Sequence, residues 1–336
     1  LTAQVVTQVR QELLKKRGQP WERRFLLHSV LPSPSLQRTM RGLARFSQVT
    51  GLRAVLRRSG LLTLVPAAQH AEALLPAMSR ASAQPVVAPP DPEYKVAFFV
   101  GCLDANLYPD TVASALRLLG RHRAQVSLPE FRCCGMPSNS YGETEGARSL
   151  AKKNIDALGQ DVDSVITACA SCGSFLKDYG QLLAGVAEYA ERAAAFSAKV
   201  KDITEFLAQV QPASAVTELK QRITYHDPCH LARFQKVSQQ PRQLLKSVPG
   251  VELVEMAESN MCCGGAGSYN LSHYELSMKV LERKMDNVAA TGADILVTGC
   301  PACRMQLAHG ASRRKLSVAV LDTVELLERA YRQAKD

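Results

Sequence analysis

The sequence lacks the signals that would place the chain in a membrane or mark it for export. It has no uncharged apolar run of the roughly 18 residues that a spanning helix needs, and no signal peptide pattern. A disulfide framework, which suits small exported domains, is therefore not expected. The chain begins with Leu1 rather than Met, so we expect a fragment or a processed product.

Common enzyme motifs are also missing. The chain has no G-x-x-x-x-G-K-[ST] phosphate loop, no dinucleotide-binding fingerprint, no H-E-x-x-H motif and no visible Ser–His–Asp constellation. We therefore expect no catalytic residues and no binding of FAD or NAD by the chain itself.

The chain is strongly basic, with a formal net charge of +10 at pH 7. Such an excess serves solubility, and the alternative is docking on an acidic partner or an anionic membrane surface. No nucleic-acid-binding motif accompanies the charge, so nucleic acid is not an expected partner.

The chain does have ten cysteines, which form two ordered copies of one pattern. Each copy is a single cysteine, then an adjacent doublet, then a C-x-x-C pair. The first set is Cys102, Cys133, Cys134, Cys169 and Cys172, and the second set is Cys229, Cys262, Cys263, Cys300 and Cys303. This order predicts an internal duplication.

Each cysteine group follows a short apolar run that is typical of a buried strand, and helix-periodic segments follow the groups. The predicted strands are 95–100, 124–128 and 164–167 in the first copy, and 222–225, 251–256 and 294–298 in the second. Alternating strands and helices predict parallel sheets. We therefore predict an α/β fold of two duplicated parallel-sheet lobes with pseudo-twofold symmetry. Ligands bind at the carboxyl ends of such strands, where the cysteines lie.

The chain divides into four predicted parts. They are a basic helical region at 1–80, a Pro- and Ala-rich linker at 81–93, a first cysteine-rich lobe at 94–210 and a second at 221–335. The many basic residues of these helices are interpreted as a solvent-exposed face, and the alternative is a docking surface.

Five thiolates per set exceed what one metal site needs. Four satisfy a tetrahedral zinc ion or a cubane iron–sulfur cluster. The fifth indicates a cluster of unusual shape or a spare redox thiol. Both iron–sulfur clusters and zinc accept thiolates, so spacing alone does not separate them. Zinc stays an alternative at the first site, where Met136 and Pro137 lie beside the doublet.

Five residues beside the cysteines are candidates for supporting roles. They are Gly135, Gly264, Gly265, His226 and His230. The glycines would allow the backbone to approach a cluster closely. The histidines flank Cys229 and are expected to donate hydrogen bonds to sulfur or to cap the next helix, with metal ligation as the alternative.

The pattern C-x(30)-C-C-G-x(33)-C-x-x-C, repeated as C-x(32)-C-C-G-x(35)-C-x-x-C, resembles the duplicated cysteine-rich CCG domain. That family includes the cysteine-rich subunit of heterodisulfide reductase, the anaerobic glycerol-3-phosphate dehydrogenase iron–sulfur subunit, lactate-utilisation proteins and the glycolate oxidase iron–sulfur subunit. The segment Phe175–Gly180 is most similar to the last of these. The amino-terminal ferredoxin cysteines of that subunit are absent. Both C-x-x-C pairs are complete, as in the cysteine-rich subunit of heterodisulfide reductase.

The resemblance implies that the ten cysteines hold one 4Fe–4S cluster per lobe, with the noncubane form associated with complete motifs. It implies an electron-transfer subunit of an FAD-linked glycolate or D-lactate oxidase, inactive alone. The implied partners are an FAD-containing oxidase subunit and other iron–sulfur or quinone-reactive subunits. The implied location is cytoplasmic, with peripheral attachment to the inner face of the membrane left open. The alternatives are a catalytic heterodisulfide reductase-like subunit acting on a thiol or disulfide, and a zinc-stabilised scaffold.

Overall fold

Helices form the amino-terminal region, as its periodicity predicts. The computed structural model describes residues 2–60, 66–79, 89–210, 216–267 and 269–332. The helices of this region are α1 (Thr2–Arg17), α2 (Trp21–Phe25), α3 (Pro34–Val49), α4 (Leu52–Arg58) and α5 (Pro66–Leu74), and α2 continues into a π-helical turn at Leu26–Val30. Most of the predicted linker, residues 80–88, lies outside the described residues.

The first lobe alternates strands and helices. Its strands are β1 (Tyr94–Phe98), β2 (Ala124–Ser127), β3 (Ser164–Thr167) and β4 (Val200–Asp202). Its helices are α6 (Cys102–Leu107), α7 (Pro109–Arg121), α8 (Met136–Ser140), α9 (Thr144–Ala157), α10 (Ala170–Lys177), α11 (Tyr179–Leu182), α12 (Ala190–Lys199) and α13 (Ile203–Leu207). All neighbouring strands are parallel, in the order β2-β1-β3-β4.

The second lobe repeats this plan. Its strands are β5 (Gln221–Tyr225), β6 (Val251–Leu253), β7 (Ile295–Thr298) and β8 (Ala319–Asp322). Its helices are α14 (Gln239–Lys246), α15 (Tyr269–Ser272), α16 (Tyr274–Ala290), α17 (Pro301–Arg313) and α18 (Thr323–Arg332), with a π-helical turn at His230–Gln235. The order β6-β5-β7-β8 is again parallel throughout. The predicted α/β fold with two parallel-sheet lobes is confirmed.

Each sheet has one strand more than the sequence analysis predicts. The additional strands, β4 and β8, have three and four residues and lie at the sheet edge beside β3 and β7. Neither strand precedes a cysteine group, the feature that marks the other six strands along the chain. Each leads directly into a helix: Asp202 caps α13 in a capping box with Glu205.

One apolar core is shared by the two lobes. Phe98 of β1 and Leu119 of α7 belong to the same buried cluster as Tyr225 of β5 and Val324 of α18. The opposite face of each sheet has its own core, and these two outer cores contain most of the cysteines. The lobes are therefore packed against each other through helices such as α7 and α18.

The amino-terminal helices contact both lobes. In the first lobe, Arg10 of α1 donates to the carbonyl of Ser140 at 2.6 Å. In the second lobe, His70 of α5 stacks on Tyr274 with ring centroids 3.7 Å apart. Among the described residues, no helix is both long enough and apolar enough to span a bilayer.

Candidate metal centre

The cysteines of the first lobe lie where strands end and helices begin. Cys102 is the first residue of α6, the doublet Cys133–Cys134 precedes α8, and Cys169 caps α10. The backbone N–H of Cys172 donates to the sulfur of Cys169 at 3.5 Å. Helix amino-termini direct N–H groups at these sulfurs, which favours thiolates.

Neighbouring thiols of the first set shift one another's pKa values, and these interactions link all five cysteines in a continuous series. The series runs Cys102, Cys133, Cys134, Cys172 and Cys169. Cys102 is partly exposed and the other four are buried. The fold thus gathers residues up to 70 positions apart in the sequence into one sulfur-rich site.

The second set repeats the arrangement. Its series runs Cys229, Cys262, Cys263, Cys303 and Cys300. Cys229 and Cys262 are partly exposed, and the other three are buried. Corresponding cysteines therefore make corresponding contacts in the two lobes.

The two sets also contact each other, which the sequence analysis does not anticipate. Cys169 and Cys300 of the other lobe lie close enough to interact: Cys300 acts to raise the pKa of Cys169, and Cys169 lowers the pKa of Cys300. Ser171, inside the first C-x-x-C pair, places its Oγ 3.5 Å from the Cys300 sulfur. The backbone N–H of Ala170 donates to the carbonyl of Gly299 at 3.1 Å. All ten cysteines therefore form one electrostatically coupled series across the lobe interface.

Packing between the lobes brings the two C-x-x-C pairs together. On one side, Gln235 of the second lobe donates to the carbonyl of Ala170 at 2.9 Å. On the other, the Arg304 guanidinium lies over the Tyr108 ring at 4.3 Å and donates to Thr111 at 3.0 Å. The start of each lobe thus packs on the C-x-x-C helix of the other lobe.

Three cysteines in this run are stabilised as thiolates by neighbouring thiols. Hydrogen bonds from Cys133 and Cys172 lower the pKa of Cys134 to about 5. A hydrogen bond from Cys229, with one from Cys263, lowers the pKa of Cys262 to about 2. A hydrogen bond from Cys169 holds the pKa of Cys300 well below its usual range. Metal binding would displace the protons that the donor thiols retain.

The two candidate histidines differ in their surroundings. His226 is 1% exposed, and neither ring nitrogen has a hydrogen-bond partner. Burial lowers the pKa of His226 to about 4, so the ring is neutral at pH 7. His230 is partly exposed, and its Nδ1 lies 3.3 Å from Ser171 Oγ and 3.7 Å from the Cys229 sulfur.

A left-handed glycine follows each doublet. Gly135 has φ +92° and Gly264 has φ +87°, values that other residues rarely adopt. A Cβ on Gly264 would lie 2.6 Å from the Ser277 carbonyl oxygen, and one on Gly265 would lie 3.5 Å from the Cys263 sulfur. The glycines therefore allow the doublet loop to pack directly on α16.

Sequence reasoning missed several polar residues around the sulfurs. Asp104 is buried near Cys300, and burial raises the pKa of its carboxyl to about 8. Ser171 and Arg304 make the interlobe contacts described above. The position of Ser171 between two cysteines and of Asp104 two residues after Cys102 could have indicated them. Nothing along the chain indicates Arg304.

The donor set suits a thiolate-bound cofactor. All ten cysteines are free thiols and each lobe gathers five of them. Thiolates select iron–sulfur clusters, zinc and other soft metals. A nitrogen of His226 and the sulfurs of Cys263 and Cys303 all lie within 4.8 Å of one another, a further donor group for a metal ion.

Two family models match this chain. A family model described as a cysteine-rich domain, CCG, matches residues 96–177 and again 223–308. A second model, described as the linker region of the glycolate oxidase iron-sulfur subunit, matches residues 18–75.

Three curated relatives represent the similarity. The chain is 37% identical over 314 residues to a probable glycolate oxidase iron-sulfur subunit from Bacillus subtilis, covering 89% of this chain and 70% of that protein. It is 34% identical over 244 residues to a subunit of fumarate reductase (CoM/CoB) from Methanothermobacter marburgensis, covering 72% and 47%. It is 30% identical over 234 residues to lactate utilization protein A from Shouchella clausii, covering 69% and 98%.

Proposed function

The chain belongs to the family of duplicated CCG cysteine-rich iron–sulfur proteins that includes the glycolate oxidase iron-sulfur subunit, and from this premise we propose that it carries electrons for a 2-hydroxyacid oxidase. The complex would oxidise glycolate or D-lactate at a separate FAD-containing subunit. This chain would pass the electrons toward a quinone or another acceptor, through other iron–sulfur subunits where the complex contains them.

The observation that carries this proposal is the proximity of the two cysteine sets at the lobe interface, where Ser171 Oγ of the first C-x-x-C pair lies 3.5 Å from the Cys300 sulfur. Two redox centres held by these sets would be close neighbours, so that electrons could pass between lobes inside one chain. The partly exposed Cys102, Cys229 and Cys262 mark where the run of sulfurs approaches solvent. A chain with two connected centres suits electron transfer better than storage of an isolated structural metal ion.

We assign ligation to the ten cysteines, five in each lobe. The bound clusters would supply reversible one-electron chemistry. The residues of the chain hold the sulfurs in place: α6, α8, α10 and α17 orient them, and the apolar cores around them exclude water. Low surrounding polarity and hydrogen bonds to sulfur tune the potential of such centres.

The first test is purification of the tagged chain with its native complex, under anaerobic conditions, from the organism that produces it. We expect FAD in the complex, iron and sulfide in this chain, and bleaching of the visible absorption by glycolate or D-lactate. The chain alone should contain iron but should not bleach with either acid. Oxidation of glycolate by the chain alone would refute the proposal, and so would zinc in place of iron at both sites.

A second candidate function is thiol or disulfide reduction at one centre. Cys229 and Cys262 are both partly exposed, so a small thiol could reach the second set. The similarity to the fumarate reductase (CoM/CoB) of Methanothermobacter marburgensis also supports this candidate. The discriminating measurement is reoxidation of the dithionite-reduced chain by a small disulfide. Rapid stoichiometric reoxidation would favour this function over electron transfer to a quinone.

A further inference from the structure

A buried histidine beside the second cysteine set has no hydrogen-bond partner among the described residues. His226 directly follows β5 and lies three residues before Cys229. Its side chain is only 1% exposed, yet neither ring nitrogen has a hydrogen-bond partner. Burial of an imidazole without any partner is unfavourable. Its ring nitrogens are therefore available to a bound ligand.

The geometry around His226 suits a shared metal ion. One ring nitrogen and the sulfurs of Cys263 and Cys303 lie within 4.8 Å of one another. In tetrahedral sites, metal–sulfur bonds of about 2.3 Å and metal–nitrogen bonds of about 2.0 Å place neighbouring donor atoms about 3.6 Å apart. A small contraction around an ion would bring these three groups to ligand distances.

Among the described residues, the first lobe offers no such nitrogen at the corresponding position. Phe99 lies three residues before Cys102, as His226 lies three residues before Cys229. Phe99 is fully buried in the apolar cluster that contains Cys133 and Cys134, and its ring packs on Phe131 at 5.1 Å. The corresponding positions therefore offer an aromatic wall in one lobe and an imidazole in the other.

We propose that His226 is a nitrogen ligand to iron in the second lobe, so that the two lobes hold electronically different centres. The inference rests on the proposed iron–sulfur function and deepens it. A neutral imidazole adds no negative charge to the centre, whereas a further thiolate would, and centres with mixed histidine and cysteine ligation have higher reduction potentials. Electrons that enter the chain would then pass from the first lobe to the second near Cys169 and Cys300. They would reside on the centre of the second lobe, which has the higher reduction potential.

The test is pulsed electron paramagnetic resonance on the full chain, purified anaerobically with its iron. Natural-abundance protein should show the strong ¹⁴N coupling of a directly bound imidazole, and ¹⁵N-histidine protein should show the ¹⁵N pattern instead. His226→Phe, which installs the first-lobe residue, should lose this coupling and lower the potential of the second centre. His230→Phe is the matched control, because His230 flanks the same cysteine, and it should retain the coupling.

Each failure has its own meaning. The ligation is overturned if the histidine coupling is absent or only as weak as that of a hydrogen-bonded nitrogen. If iron is nevertheless present, the proposed function still stands. Coupling that disappears in His230→Phe but persists in His226→Phe also overturns it. Absence of iron from the wild-type chain refutes the proposed function itself. Where His226→Phe does not fold, isotope labelling of the wild-type chain and the His230→Phe spectrum decide the question.

Discussion

Replacing Gly264 by alanine should be one of the most damaging single-methyl changes in the chain. Gly264 follows the second doublet with φ +87°, and a Cβ would lie 2.6 Å from the Ser277 carbonyl oxygen. A left-handed backbone costs a non-glycine residue roughly 1–2 kcal/mol, and overpacking against a backbone atom adds roughly 1–3 kcal/mol. We therefore expect a loss of about 2–5 kcal/mol in the free energy of unfolding for Gly264→Ala.

Gly267 provides a matched control in the same loop. Its φ is +69°, and a Cβ there would meet no atom within 4 Å. Gly267→Ala should therefore cost only the backbone term, roughly 1–2 kcal/mol. The difference between the two variants isolates the contact with α16.

The assay is urea unfolding of both variants, followed by iron determination on each protein purified anaerobically. Ser277 Oγ donates to the Gly264 carbonyl at 2.8 Å, so displacement of the loop should also move the neighbouring Cys263. We expect Gly264→Ala to lose about half of the total iron, given one cluster per lobe, and Gly267→Ala to keep it. Equal stability and full iron in both variants would refute the reasoning.

Three further predictions concern the ligands, a buried ion pair and a buried carboxyl. Cys263→Ser should remove the metal of the second lobe and leave that of the first, as metal analysis and resonance spectra of each centre will show; loss from both lobes or from neither would contradict independent binding. Arg242→Gln should lower the free energy of unfolding in urea by about 3 kcal/mol, because it leaves the buried Asp227 carboxylate without the partner that now lies 2.7 Å away. The control Arg192→Gln removes an exposed ion pair with Asp156 and should change the free energy of unfolding little. Burial raises the pKa of Asp202 to about 6, above the usual value near 4; the folded chain then retains a proton that the unfolded chain releases, so this contribution to stability is lost as the pH rises from about 4 to about 6. Asp202→Asn should flatten the pH dependence of the thermal midpoint in that window, and an unchanged slope would count against the assignment.

The sequence by itself determined the duplication, the class of fold and the candidate donor atoms. Strand–helix alternation depends on local apolar periodicity, so β1, β3, β5 and β7 were predictable to within two residues at each end. Cysteine spacing is a property of the covalent chain, and parallel strands place their following loops at one edge of a sheet. The edge strands β4 and β8 were not predicted, because no cysteine group follows them to mark the end of a strand.

Only the tertiary structure decided how the two cysteine sets relate to each other. The sequence describes each lobe separately, because no local pattern encodes the packing of α7 against α18 or the contact between Cys169 and Cys300. The same limit applies to His226 and His230, which flank one cysteine and look alike in the sequence. The end of β5 directs His226 into the buried sulfur site, whereas His230 begins a π-helical turn beside Ser171 of the other lobe. Side-chain surroundings of this kind depend on packing between segments that are distant along the chain, and packing is fixed only when both lobes have folded.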